Sequence, residues 1–162
     1  MTESATTSLP SSSRTIFLTC VDGRIEPLRD FVSLGLDMPY VMRNPGGRVT
    51  PAALRDIAKI HYLITVYGGG KVEEAALVIV HHTDCRAAKL AGRAAQRALS
   101  NDYGVDEEAA ATLGVSDPAN SVQEDIAKVK ASLKIPGPLL VSGHVFNTAS
   151  RQLTQVAAPA RI

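Results

Sequence analysis

Apolar runs and polar breaks divide the chain into short elements. Thr15-Ile16-Phe17-Leu18-Thr19 is an unbroken apolar and β-branched run, which predicts a buried strand ending at Cys20. Asp22-Gly23-Arg24 turns the chain, and a short helix is predicted from Ile25 to Leu34, stopped by Gly35. Pro39 to Met42 predicts a second strand, leading into Arg43-Asn44-Pro45-Gly46-Gly47. Pro51 suits the first turn of a helix, and Leu54, Ile57, Ala58 and His61 recur at helical spacing through about Leu63. Tyr67-Gly68-Gly69-Gly70-Lys71 is a flexible break without the Gly-Lys-Ser/Thr ending of a phosphate loop. Ala75 to Val80 is a third, fully apolar strand running into His81-His82-Thr83-Asp84-Cys85. Ala87 to Leu99 is Ala-rich and helical, residues 100–116 are acidic and loop-like, and Ser121 to Leu133 is a helix whose Ser121-Val122-Gln123-Glu124 resembles a capping box. Leu139 to Gly143 is a fourth strand, and Leu153 to Val156 a short fifth one, pairing as a hairpin with the Gly143–Phe146 region.

Strands alternating with helices predict an α/β fold with a central, mostly parallel sheet of four to five strands flanked by helices. The 162 residues suit one domain, expected over 14–162. Residues 1–13, rich in Ser and Thr, are expected to be a disordered leader, with neither the basic start nor the apolar stretch of a secretory signal. A net charge of +1 argues against a dedicated nucleic-acid or membrane-surface binder, and no apolar run reaches the length of a membrane span. A cytoplasmic protein is therefore expected. In that compartment its two cysteines are not expected to form a disulfide.

In a parallel α/β sheet, ligands gather beyond the carboxyl ends of the strands. Cys20 ends the first predicted strand, and His82 and Cys85 follow the third. If those strands are neighbours, two thiolates and one imidazole converge, a donor set that suits one zinc ion per chain. Three protein ligands with an open fourth position is the pattern of a catalytic zinc rather than a structural one.

The joint pattern of Cys20-x-Asp22-x-Arg24, Arg43-Asn44-x-Gly46 and His82-x-x-Cys85, each at a strand end, resembles the beta-class carbonic anhydrases. The His-His-Thr-Asp-Cys wording is similar to their compact, so-called class D branch, which also includes carbonyl sulfide hydrolases and relatives acting on carbon disulfide. The likeness covers about Thr15 to Val156. It implies hydration of carbon dioxide to bicarbonate by zinc-bound hydroxide, with Asp22 accepting the hydroxide proton and Arg24 keeping Asp22 ionised. It also implies that Asp22 swings onto the zinc in a closed state, in which Arg24 loses its partner, and that the chain forms a homodimer or a dimer of dimers. Backbone N–H groups near Gly46 and Gly47 are candidates for binding the substrate oxygen. For the outgoing proton, His81, His61 and Tyr40 qualify by residue type alone, and His81 alternates with His82 and so faces the other way.

The sequence departs from the family pattern at Arg86, where Gly is usual, at Pro45, where Ala is usual, and in a longer Tyr67–Glu74 stretch. These departures touch substrate identity and not the ligands. Hydrolysis of carbonyl sulfide to hydrogen sulfide and carbon dioxide is the alternative activity. A zinc-holding protein without catalysis, with Arg86 blocking the pocket, is the other alternative.

Overall fold

The computed structural model describes residues 14–35, 38–70 and 74–162. The expected leader and the Lys71 part of the glycine-rich break lie outside the described residues. One five-stranded sheet organises the rest, in the order β2-β1-β3-β4-β5: β1 Thr15–Cys20, β2 Tyr40–Asn44, β3 Ala75–His82, β4 Leu139–Phe146 and β5 Leu153–Arg161. The first four strands are parallel, and β5 returns antiparallel to β4. The expectation of a mostly parallel α/β sheet holds. β1 and β3 are buried along their whole lengths, as their continuous apolar runs require.

Side chains alternate between the two faces. Ile16, Leu18, Leu77, Ile79 and Val141 pack on one face with Ala53, Ile57 and Ile64 of α2 (Pro51–Tyr67) and Val122, Ile126 and Val129 of α5 (Pro118–Ser132). Phe17, Val78, Val80 and Phe146 lie on the other, with Ile25, Phe31, Ala87 and Val115. Here the chain's three phenylalanines meet edge to face, Phe31 lying 5.4 Å from Phe17 and 5.9 Å from Phe146 between ring centres. The chain leaves β1 toward β2 on one side and reaches β3 on the other. The crevice at the carboxyl ends of β1 and β3 is thus the topological switch point of the sheet.

Several elements differ from the sequence reading. The Ile25–Leu34 helix is broken into α1 (Pro27–Asp30) and a 3₁₀ turn (Val32–Leu34), because Phe31 turns inward between them and is buried. Ala87–Leu99 divides into a 3₁₀ segment (Arg86–Ala91) and α3 (Arg93–Tyr103). The acidic stretch is no loop: α3 runs into it, and α4 (Glu107–Ala111) starts where Asp106 accepts the Ala109 N–H. α5 begins three residues before Ser121, capped by Asp117 with Pro118 in its first turn, so the Ser121–Glu124 capping box does not form. β5 spans nine residues where four were expected.

Candidate metal centre

The neighbouring ends of β1 and β3 place Cys20, His82 and Cys85 together. All three are buried, and their donor atoms lie within 4.8 Å of one another. The two sulfurs are 3.9 Å apart. Two thiolates on the edge of a zinc tetrahedron would stand roughly 3.8 Å apart, given Zn–S bonds of about 2.3 Å. His82 Nδ1 faces the Thr83 carbonyl at 2.9 Å, whereas Nε2 is buried and has no partner among the described residues. The carbonyl places the ring proton on Nδ1 and leaves the Nε2 lone pair free, as in a metal-ligating histidine. An orphaned buried nitrogen beside two free thiols fits zinc.

The thiols influence each other. Hydrogen bonding with Cys85 pulls the Cys20 thiol down, against its burial and with help from the neighbouring His82 side chain and the Asp22 and Gly46 N–H groups. The same bond, together with burial, pushes Cys85 up. Metal binding there would displace the thiol protons, because the thiolate is the ligand form.

Asp22 and Arg24 stand at the rim. Arg24 Nε and Nη2 donate to the two carboxylate oxygens of Asp22 at 3.0 and 2.7 Å, a side-on fork. The Arg24 side chain thereby holds the Asp22 carboxyl well below the usual range. Arg24 has a second anchor that sequence reasoning missed. Its Nη1 and Nη2 donate, each at 2.8 Å, to the carboxylate and the backbone carbonyl of Asp84. Asp84 takes a left-handed conformation, φ 52°, which Asp tolerates better than most residues. Arg24 thus joins the loop after Cys20 to the loop between His82 and Cys85.

Arg43, quoted in the sequence pattern without a role, clamps the Cys20 loop. Its Nε donates to the Cys20 carbonyl, and its Nη2 to those of Asp22 and Ile25, at 2.8–3.0 Å. Gly46 and Gly47 follow with φ of 80° and 67°. A Cβ on Gly47 would lie 2.8 Å from the Thr19 carbonyl carbon, so only glycine lets this turn press against the end of β1. The Gly46 N–H is directed at the Cys20 sulfur.

A pocket of about 730 Å³ opens onto this group, lined by Cys20, Asp22, Arg24, Gly46 and Cys85, with Val21, Pro45, Ala87 and Leu90 supplying apolar wall and Arg86 and Lys89 cations. Of the proton-transfer candidates, His81 is fully buried on the opposite face against Asp125, and His61 is buried in α2. Neither lines the pocket.

No protein-family model and no curated protein matches the sequence. Solved structures do. A carbonic anhydrase of Streptococcus mutans is 28% identical, with a TM-score of 0.65 over 90% of this chain and 82% of that one. A carbonic anhydrase of Glaciozyma antarctica is 26% identical, with a TM-score of 0.64 over 92% and 85%. A carbon disulfide hydrolase shares the fold at 23% identity, with a TM-score of 0.62 over 91% and 80%. Together with the three motifs and the buried Cys-His-Cys group, these likenesses support the resemblance to the beta-carbonic anhydrase superfamily.

Proposed function

We propose that the protein is a zinc enzyme that hydrates carbon dioxide to bicarbonate, with Cys20, His82 and Cys85 as the metal ligands. The observation that supports this best is the unpartnered, buried Nε2 of His82 beside two free thiols at the foot of an open pocket. When bound there, zinc supplies the Lewis acidity that makes water nucleophilic near neutral pH. Asp22 accepts the proton of the attacking water on a carboxylate oxygen and so aims the oxygen lone pair at the substrate carbon. It does so as an anion because Arg24 holds it ionised. The Asp84 anchor keeps the guanidinium in place, so Arg24 retains a partner whenever Asp22 moves. Gly46 and Gly47 are the candidates for holding the substrate oxygen. The apolar wall of Val21, Pro45, Ala87 and Leu90 suits a small, neutral, linear molecule.

The same wall accepts the equally small, neutral and linear carbonyl sulfide, and Arg86 stands in it where the family usually has glycine, so hydrolysis of carbonyl sulfide is the second reading. Stopped-flow hydration of carbon dioxide, run beside sulfide release from carbonyl sulfide, separates the two. Sulfide release with only feeble hydration would sink the first reading. Zinc-loaded protein that turns over neither substrate would leave a metal-holding protein without catalysis. We further propose a homodimer, supported by the exposed Tyr62, Val66 and Tyr67 on α2 and tested by light scattering on the eluting protein.

A further inference from the structure

Behind the site lies a buried ionic cluster that the proposed reaction does not use. Asp125 of α5 is fully buried, as is His81 of β3, and the Arg48 side chain is only 4% exposed. Three nitrogens converge on one oxygen of Asp125. The Val49 N–H donates at 3.1 Å, Arg48 Nε lies at 3.1 Å and His81 Nε2 at 3.2 Å. The other oxygen accepts from Lys128 at 2.9 Å. Burial alone would raise the Asp125 carboxyl, but the His81 bond and the Arg48 charge overrule it and hold it below the usual range. Few arrangements are as costly to disrupt as a carboxylate desolvated among several donors.

What this carboxylate gathers is specific. Val49 and Arg48 directly follow the glycine turn. His81 precedes His82, and its Nε2 also faces the Gly47 carbonyl at 3.2 Å. Facing two acceptors, that nitrogen carries the ring proton. Asn44 braces the turn from its other end, accepting the Arg48 N–H and donating to the Arg48 carbonyl, both at 2.8 Å. The turn has no slack toward β1, because Gly47 is packed against the Thr19–Cys20 backbone. One carboxylate therefore fixes both the glycine turn that is packed against the Thr19–Cys20 backbone and the strand residue next to His82.

We propose that Asp125 is a positioning residue of the metal site, holding the glycine turn and the end of β3 so that Cys20 and His82 are preorganised before metal arrives. It touches neither ligand nor substrate. The proposal rests on the metal-site reading above.

The test compares wild type with Asp125→Asn, which keeps shape and removes charge, in two measurements on the full chain. One is the zinc dissociation constant by chelator competition. The other is the rise in melting temperature that zinc produces over the stripped protein. A positioning role predicts about a tenfold weaker zinc affinity and a smaller zinc-induced rise. A purely structural role predicts that stripped and loaded forms lose stability equally, with affinity unchanged, and that result overturns the proposal. Lys128→Met, which trims only the partly exposed outer contact, is expected to leave zinc affinity unchanged. If Asp125→Asn does not fold, Arg48→Lys takes its place. It keeps the charge but loses the fork that also reaches the Gly114 carbonyl and Glu124, and the same two outcomes decide. Wild type that binds no zinc fails the metal reading and this proposal together. Wild type and variant binding zinc equally fail this proposal alone.

Discussion

Two ionic clusters flank the candidate metal centre, and they differ in almost every physical respect. At the rim, Asp22, Arg24 and Asp84 form a chain of charge-assisted bonds in which the Arg24 and Asp84 side chains are 41% and 83% exposed. Behind the site, Asp125, Arg48 and His81 are buried against the sheet. Exposed pairs contribute little to stability because water screens them. Buried groups cannot rehydrate without opening the core. The site thus has a hydrated charged rim set against a buried support.

Breaking the buried cluster gives the largest expected loss of stability. Arg48→Met leaves Asp125 buried beside one cation fewer and is expected to cost about 3–5 kcal/mol, read from denaturant unfolding of the metal-free protein. The rim predicts the opposite profile. Asp22→Asn removes the proton acceptor and is expected to lower turnover by about 100-fold while the melting temperature hardly moves, as stopped-flow assays and thermal melts would show. If Asp22→Asn unfolded the protein, or Arg48→Met left stability untouched, the contrast between rim and support would be wrong.

Acid sharpens the comparison. His144 is buried near Ser142, and burial lowers its pKa from 6.5 to about 4. The unfolded chain therefore takes up this proton first as pH falls. The stability that neutral His144 provides is complete above about pH 6.5 and is lost progressively down to about pH 4. His144→Phe is expected to flatten the unfolding midpoint across that window relative to wild type. His61, also lowered by burial, retains a part of the slope. The smallest effect is expected at Asp84→Asn, which keeps the left-handed turn and the backbone carbonyl. Turnover should fall only a few-fold, with no measurable change in melting temperature.

The legibility of these features in the sequence follows from the range of the forces that make them. β1 and β3 are read directly because strands buried on both faces must be apolar throughout, and the proposed ligands follow from their ends. That His81 faces away from His82 follows from the period of two and holds in the structure. The start of α5 is masked in the sequence because Ser121 and Glu124 imitate a cap, while the actual one is the adjacent Asp117-Pro118 pair. β5 was cut short because an edge strand carries polar residues and tolerates Pro159. Asp125 gave no local signal at all: its partners Arg48, Val49 and His81 lie far away in sequence and meet it only in the fold. Asp84 was likewise legible as a turn residue but not as the second anchor of Arg24.

The central claim is that Cys20, His82 and Cys85 hold one zinc ion that serves carbon dioxide hydration. It is tested most directly by adding zinc stepwise to stripped protein while following hydration by stopped-flow. The rate is expected to rise in proportion to bound zinc and to level off at one equivalent per chain, with Cys20→Ser showing no such rise. Hydration that is independent of zinc, or a fully loaded protein that hydrates no carbon dioxide, would contradict it.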